Sequence, residues 1–187
     1  MARPLSDDAR RQMLNATRAI VADVGPNELT IDEVARRSGV AKTTIYRHFP
    51  NASALVLAAL ADVPASMTEP DTGSLRDDLR DIISQFMTLA ADGTLRQMMI
   101  HSLSSRSSDA EFRQLREELR ESRRNPLRTA VRRAQERGEL PGDLDDELAA
   151  TLIEAPFVLR RLIADVDVDA TDIDRIIDLL LRGLGGS

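Results

Sequence analysis

Apolar side chains recur at three- and four-residue spacing along nearly the whole chain, and no stretch shows the strict alternation of a half-buried strand. Met13, Ala16, Ile20 and Val24 mark one face of a first helix. Ser6 is its expected N-cap, Asp7 and Asp8 lie at the positive end of its dipole, and Gly25-Pro26 stops it. Thr30, with Glu33 three residues later, reads as a capping box that opens a second helix. Ser38-Gly39-Val40 breaks the period, residues 41–48 resume it, and Pro50-Asn51 precedes a fourth helix reaching to about Asp62. The segment PASMTEPDTG, residues 64–73, is rich in Pro, Gly and polar residues and divides a region 1–63 from a region 64–187. Five more helices are predicted over 74–91, 94–104, 109–137, 146–164 and 171–183, and Pro126 should kink or split the third of these. The pattern therefore predicts an all-α chain of about nine helices: an N-terminal three-helix unit with a linking fourth helix, then a helical bundle.

Composition narrows the class of protein. Hydrophobic residues make up 42% of the 187 and charged residues 30%, as in an ordinary globular chain. Aromatic residues are only 3% and Trp is absent, so the core must be built mainly from Leu, Ile, Val, Ala and Met. Without cysteine there are no disulfides, zinc-thiolate sites or thiol nucleophiles, which fits a reducing compartment. The charged N-terminus lacks the apolar run of a signal peptide, and no stretch approaches the ~18 apolar residues of a membrane span. These features lead us to expect a soluble, cytoplasmic protein with no membrane partner.

The net charge of −6 taken alone argues against a nucleic-acid partner, but its distribution reverses that reading. Residues 1–62 carry eight basic and seven acidic side chains, whereas the rest carry 17 and 24. The acidity thus lies outside the first region. Of the 25 basic residues, Lys42 alone is a lysine.

Chemistry concentrates in residues 29–60. Two short helices joined by a three-residue turn centred on Gly39 satisfy the requirement for a helix-turn-helix. Ala35 permits close approach of the two helices, and Gly39 can take the positive φ that the turn demands. Val34, Val40, Ile45 and Phe49 supply an apolar seam. With these buried, the second helix of the pair turns Lys42, Thr43, Thr44, Tyr46, Arg47 and His48 outwards. Each has a hydrogen-bond donor and none is acidic, a mixture suited to phosphates and major-groove base edges. The amides near Thr43 and Thr44 offer a further phosphate site. The competing reading of TTIYRH is a merely solvated helical face.

The run Gly39-Val40-Ala41-Lys42-Thr43-Thr44-Ile45-Tyr46-Arg47-His48-Phe49 resembles the recognition helix of the tetracycline-repressor (TetR-type) family. ATRAIVADVG before it also resembles the family's first helix, with Val21 in place of an aromatic residue. About 55 residues share the likeness, and the run ELAATLIEAPFVLRRLIA resembles a penultimate helix of such proteins. The resemblance implies a DNA-binding regulator that contacts bases or phosphates through Lys42, Thr43, Thr44, Tyr46, Arg47 and His48, with a phosphate contact near Thr30. The chain departs from the family after the recognition helix. Asn51-Ala52-Ser53 stands where a phosphate-gripping lysine is common, so that contact should be absent or fall to the Asn51 cap and backbone amides. Arg3, Arg10 and Arg11 are expected to compensate.

The same resemblance implies that the last two helices pair with their copies in a homodimer. The sequence agrees: Leu148, Leu152, Ala155, Leu159 and Leu162 form one stripe, and Ile173, Ile176, Ile177, Leu180, Leu181 and Leu184 another. The last helix has more apolar surface than one neighbour covers, which favours an interface that includes Leu148, Leu152, Leu159, Ile173, Ile177, Leu180 and Leu181. A dimer would read a pseudo-palindromic operator in double-stranded DNA. Phe86, Met87, Met98, Met99, Leu103 and Phe112 are candidates for an adaptable apolar pocket, with His101 as its polar group, although ordinary core is the competing reading. On this basis a small apolar effector entering the bundle and shifting the fourth helix is expected to release a repressor from its operator.

No catalytic residue, metal site or cofactor is expected. Two histidines and no cysteine leave little for a nucleophile-base pair, and neither GxSxG nor HExxH occurs. The acidic run Asp165-Val-Asp167-Val-Asp169 is not a calcium loop, because Ala170 and Ile176 stand where Gly and Glu belong. It reads as a turn with capping acids. Two alternatives remain: a regulator that works without an effector or through a protein partner, and an all-helical interaction or enzyme domain with a structural helix-turn-helix.

Overall fold

A computed structural model describes residues 6–63, 68–104 and 110–185. Among these it forms nine α-helices and no strand: α1 (Asp7–Val24), α2 (Ile31–Ser38), α3 (Lys42–His48), α4 (Ala52–Ala61), α5 (Leu75–Ala91), α6 (Gly93–Ser104), α7 (Ala110–Glu136), α8 (Asp146–Val158) and α9 (Ala170–Gly183). The starts follow the expected caps. Ser6, Thr30 and Asn51 accept hydrogen bonds from the amides of Ala9, Glu33 and Ala54, and Asp145 and Asp169 do the same for α8 and α9. Asp169 thus has the capping role read from the acidic turn.

The chain folds into two compact units that do not follow the boundary at residue 63. One comprises Met1–Ala65 with Asp92–Leu119, and the other Ser66–Ala91 with Arg120–Ser187. In the first unit α4 carries an unbroken buried run, Ala54 to Leu60. A helix apolar on every side needs several neighbours, and α1 and α6 both pack on α4. Met13, Leu14, Ile20 and Val21 of α1 and Met98 and Met99 of α6 are also buried, each contributing on the order of 1.5–3 kcal/mol for a large side chain. That burial draws α6 into the N-terminal unit rather than the bundle. The Arg18 guanidinium closes the end of α4 by donating to the Ala59 carbonyl at 3.1 Å and to Asp62 at 3.3 Å.

The second unit has a core of Leu75, Leu79, Ile82, Ile83, Leu127, Val131, Ile153, Phe157, Ile173 and Ile177, with Ala130, Ala134, Ala149 and Ala150 between them. Its helices are also tied by charge. Arg124 on α7 reaches Glu147 at 2.6 Å and Glu154 at 3.1 Å on α8, and Arg76 on α5 reaches Asp178 on α9 at 2.8 Å. Asp78 is fully buried, and its Oδ1 accepts from both the amide and the hydroxyl of Thr72.

Two local expectations need correction. Of the two effects expected of Pro126, a kink or a split, the split does not occur: α7 runs without interruption from Ala110 to Glu136. One lost amide donor is tolerated there because Arg124 and Arg128 hold the flanking turn to α8, Arg128 through Asp146 and Glu147. The helix expected over 146–164 is α-helical only to Val158 and ends in a π-helical turn, Leu159–Ile163. There the Ala164 amide donates to the Leu159 carbonyl at 2.8 Å, and Asp165 turns the chain at φ 54°.

Candidate nucleic-acid interface

The α2–α3 unit is assembled by a small apolar seam and one special backbone position. Val34, Val40, Ile45 and Phe49 are buried as the pattern predicts. Gly39 sits at φ 71°, ψ 5°, and its amide donates to the Ala35 carbonyl at 3.0 Å, so the left-handed residue that ends α2 also starts the turn. A Cβ at this position would meet nothing within 4 Å, so the demand for glycine comes from the backbone conformation and not from space. Thr30 forms its half of the capping box, with its hydroxyl accepting from the Glu33 amide at 3.2 Å. The Glu33 carboxylate does not return the bond. It instead binds Arg36 at 2.5 Å and Arg37 at 2.7 Å, hydrogen bonds that hold its pKa down at about 2.

Ile45 is the one residue of α3 that enters the core. Lys42, Thr43, Tyr46 and Arg47 are exposed, Thr44 and His48 are half-buried, and Thr30 is exposed at the start of α2. Tyr46, a large aromatic residue, leaves 56% of its surface open. The Arg47 Nε donates to His48 Nε2 at 3.4 Å. Ala41 at the N-cap of α3 offers no side-chain acceptor to the amides of the first turn. Asn51 caps α4, its Oδ1 accepting from the Ala54 amide at 2.9 Å. Arg10 is exposed on α1, Arg11 pairs with Asp8, and Arg3 lies outside the described residues.

The residues expected to line a pocket are divided between the two units. Met98, Met99, His101, Leu103 and Phe112 belong to the first unit and Phe86 and Met87 to the second. Met98, Met99 and Phe112 are buried, Leu103 is exposed, and Phe86 and Met87 pack against the second unit's core. His101 is half-buried, and its Nε2 meets the Ser53 hydroxyl of α4 at 3.0 Å. Burial pushes its pKa below the ordinary value. None of the seven lines either of two clefts in the second unit. One, of about 540 Å³, is bordered by Ser74, Arg76, Glu139, Asp178 and Arg182, and the other, of about 440 Å³, by Leu152, Pro156, Ile176, Leu179 and Leu180.

The expected interface stripe is also revised. Ile173 and Ile177 are buried in their own unit's core and have no surface left for a partner. Leu180 and Leu181 are partly buried against the same core. Leu148, Leu152, Leu159, Ile163 and Leu179 remain exposed, the last by 65%. Periodicity marked Ile173 and Ile177 as apolar but could not say which apolar surface they meet.

A turn led by a left-handed glycine, a short donor-bearing helix held by one buried isoleucine, and a helical bundle in the other unit define a helix-turn-helix protein of the regulatory class. The sequence matches this class over both parts. Residues 13–59 fit the family model for bacterial regulatory proteins of the tetR family, and residues 69–180 fit that for a tetracyclin repressor-like C-terminal domain. The chain belongs to the TetR family. It is 28% identical over 98 residues to the HTH-type transcriptional regulator BetI of Cronobacter sakazakii, covering 52% of this chain and 48% of that protein. The chain spans about half the length or less of the curated relatives it matches. Among solved structures, the TetR family transcription regulator SCO0332 is similar over 95% of this chain and 98% of its own, with a TM-score of 0.74 and 26% identity. The fold also matches that of the transcriptional regulator FadR of Bacillus subtilis, solved with stearoyl-CoA, at a TM-score of 0.70 and 22% identity over 92% of this chain and 98% of that one.

Sequence reasoning missed the carboxylates beside the cations of the reading unit. Lys42 Nζ lies 2.5 Å from Asp32, and Arg37 lies 2.5 Å from Asp23. These pairs join residues on different helices, a relation that helical spacing does not reveal. The Ser53–His101 contact was missed for the same reason.

Proposed function

We propose that this chain is a sequence-specific, DNA-binding transcriptional repressor that acts as a homodimer and is released by a small apolar ligand. The observation that carries this reading is the division within α3. Ile45 is the one fully buried side chain of the helix, and every other side chain on it carries a donor, four of them exposed and Thr44 and His48 half-buried. In the proposed complex Lys42 and Thr43 meet phosphates near the start of α3, Thr44, Tyr46, Arg47 and His48 read base edges, and Thr30 adds a phosphate contact at the start of α2. Leu148, Leu152, Leu159 and Leu179, together with the apolar cleft beside Pro156, form the face that meets the second protomer. Two recognition helices then lie about 34–36 Å apart and fit a pseudo-palindrome. The stearoyl-CoA bound to a neighbour of this fold supports a small-molecule effector, which needs only a differential affinity of a few kcal/mol between two forms to move the equilibrium.

Selection of bound duplexes from a random pool tests the proposal. Enrichment of a pseudo-palindromic site is expected. A pool that stays random at low salt would leave the helix-turn-helix a structural element and remove the basis of the reading.

A further inference from the structure

Three cations of the helix-turn-helix, Arg36, Arg37 and Lys42, already pair with carboxylates of the same unit. Arg36 and Arg37 are shared by Glu33, Arg37 is also held by Asp23, and Lys42 on α3 pairs with Asp32 on α2. Arg47 is arranged differently and meets His48. The Lys42–Asp32 pair differs from the others in its position. It bridges the two helices across the turn and places a carboxylate beside the first residue of the recognition helix. Both side chains are at least half exposed, so the pair is weak and exchangeable rather than structural.

We propose that Asp32 acts as a built-in counterion that competes with DNA phosphate for Lys42 and so weakens binding to every duplex alike. The inference rests on the proposed function. A phosphate that captures Lys42 must displace a tethered carboxylate, which is left without its cation beside the polyanion. The contact therefore yields less affinity than a free lysine would give, and the penalty is the same for every DNA sequence because a phosphate carries no base identity. Base-edge contacts from Thr44, Tyr46 and Arg47 are not taxed in this way. The pair thus lowers affinity for specific and unrelated duplexes by the same factor, and discrimination between them is left to the base-edge contacts. The same exchange reduces net counterion release at Lys42, so the salt dependence of binding is shallower than the number of phosphate contacts suggests.

A double-substitution cycle on the full chain tests this, reading affinity for an unrelated duplex and for the selected duplex across salt concentrations. Asp32→Asn should tighten binding to both duplexes by about two- to five-fold at low salt, as for release of an exposed ion pair. It should also steepen the log–log salt slope by up to about one unit. In a Lys42→Gln background the same substitution should change affinity by less than about half of that. If Asp32→Asn gives the same gain with and without Lys42, the carboxylate only repels DNA and the inference fails. An absence of change on Asp32→Asn in the protein that keeps Lys42 also overturns it. If the unsubstituted protein shows no salt-dependent DNA affinity at all, the proposed function falls and takes this inference with it. Thermal melting of each variant confirms that folding is intact.

Discussion

In α3 one side chain is buried in the core and the others remain exposed or half-exposed, carrying hydroxyls, cations and an imidazole. In α8 four residues, Ala149, Ala150, Ile153 and Phe157, are buried, yet the opposite side still presents Leu148 and Leu152, with Leu159 just beyond. Both helices obey the same periodicity. The difference lies in what remains outside once the protomer has folded. A face of donors suits a polyanion, whereas leucines 45% to 57% exposed at Leu152, Leu148 and Leu159 leave apolar area in water that a second apolar surface would remove. The two units thus present different surfaces, one polar and charged, the other apolar.

The largest expected effect comes from attacking the apolar side. Placing Glu at both Leu152 and Leu159 should yield a monomer by sedimentation. Operator affinity should then fall by more than about 100-fold, because two half-sites are no longer held at once. A dimer that persists would place the interface elsewhere. Next comes the polar side, where Tyr46→Ala or Thr44→Ala should each weaken binding to the selected duplex by about 1–3 kcal/mol while barely changing affinity for an unrelated duplex. Equal losses on both would assign these residues to phosphates instead.

The turn that presents α3 can be tested without touching any contact. Gly39→Ala meets open space but forces a Cβ into the left-handed region, so a loss of about 1–2 kcal/mol is expected in urea unfolding. The smallest effect concerns His101. Burial lowers its folded pKa below the unfolded value of about 6.5, so the unfolded chain takes up the proton first. Stability from the neutral ring is complete above pH 6.5 and is lost as pH falls towards the folded pKa. His101→Gln should flatten that decline in melting temperature between pH 7 and pH 5, and an unchanged slope would assign the acid sensitivity to other groups.

The sequence revealed whatever local chemistry decides. Ser6, Thr30, Asn51, Asp145 and Asp169 are short acceptors that satisfy the first free amides of their helices, which is why the predicted and observed starts agree closely. The outward set on α3 was legible because Ile45 fixes the helix's rotation. What the sequence concealed are relations at a distance. Met98 and Met99 read as apolar in either unit, and only their burial in the fold assigns α6 to the N-terminal one. Ile173 and Ile177 were indistinguishable from interface residues, since a period of 3.6 marks a face but not its neighbour. The π-helical turn after Val158 and the Lys42–Asp32 pair leave no periodic trace.

The most direct test of the account is the affinity of the intact protein for its selected duplex as salt is varied, with stoichiometry measured in the same titration. The account predicts two protomers per pseudo-palindromic site and a log affinity that falls linearly with log salt. The slope should be about −5 if each protomer neutralises about three phosphates. Salt-independent binding, or a single protomer per site with no half-site symmetry, would contradict it.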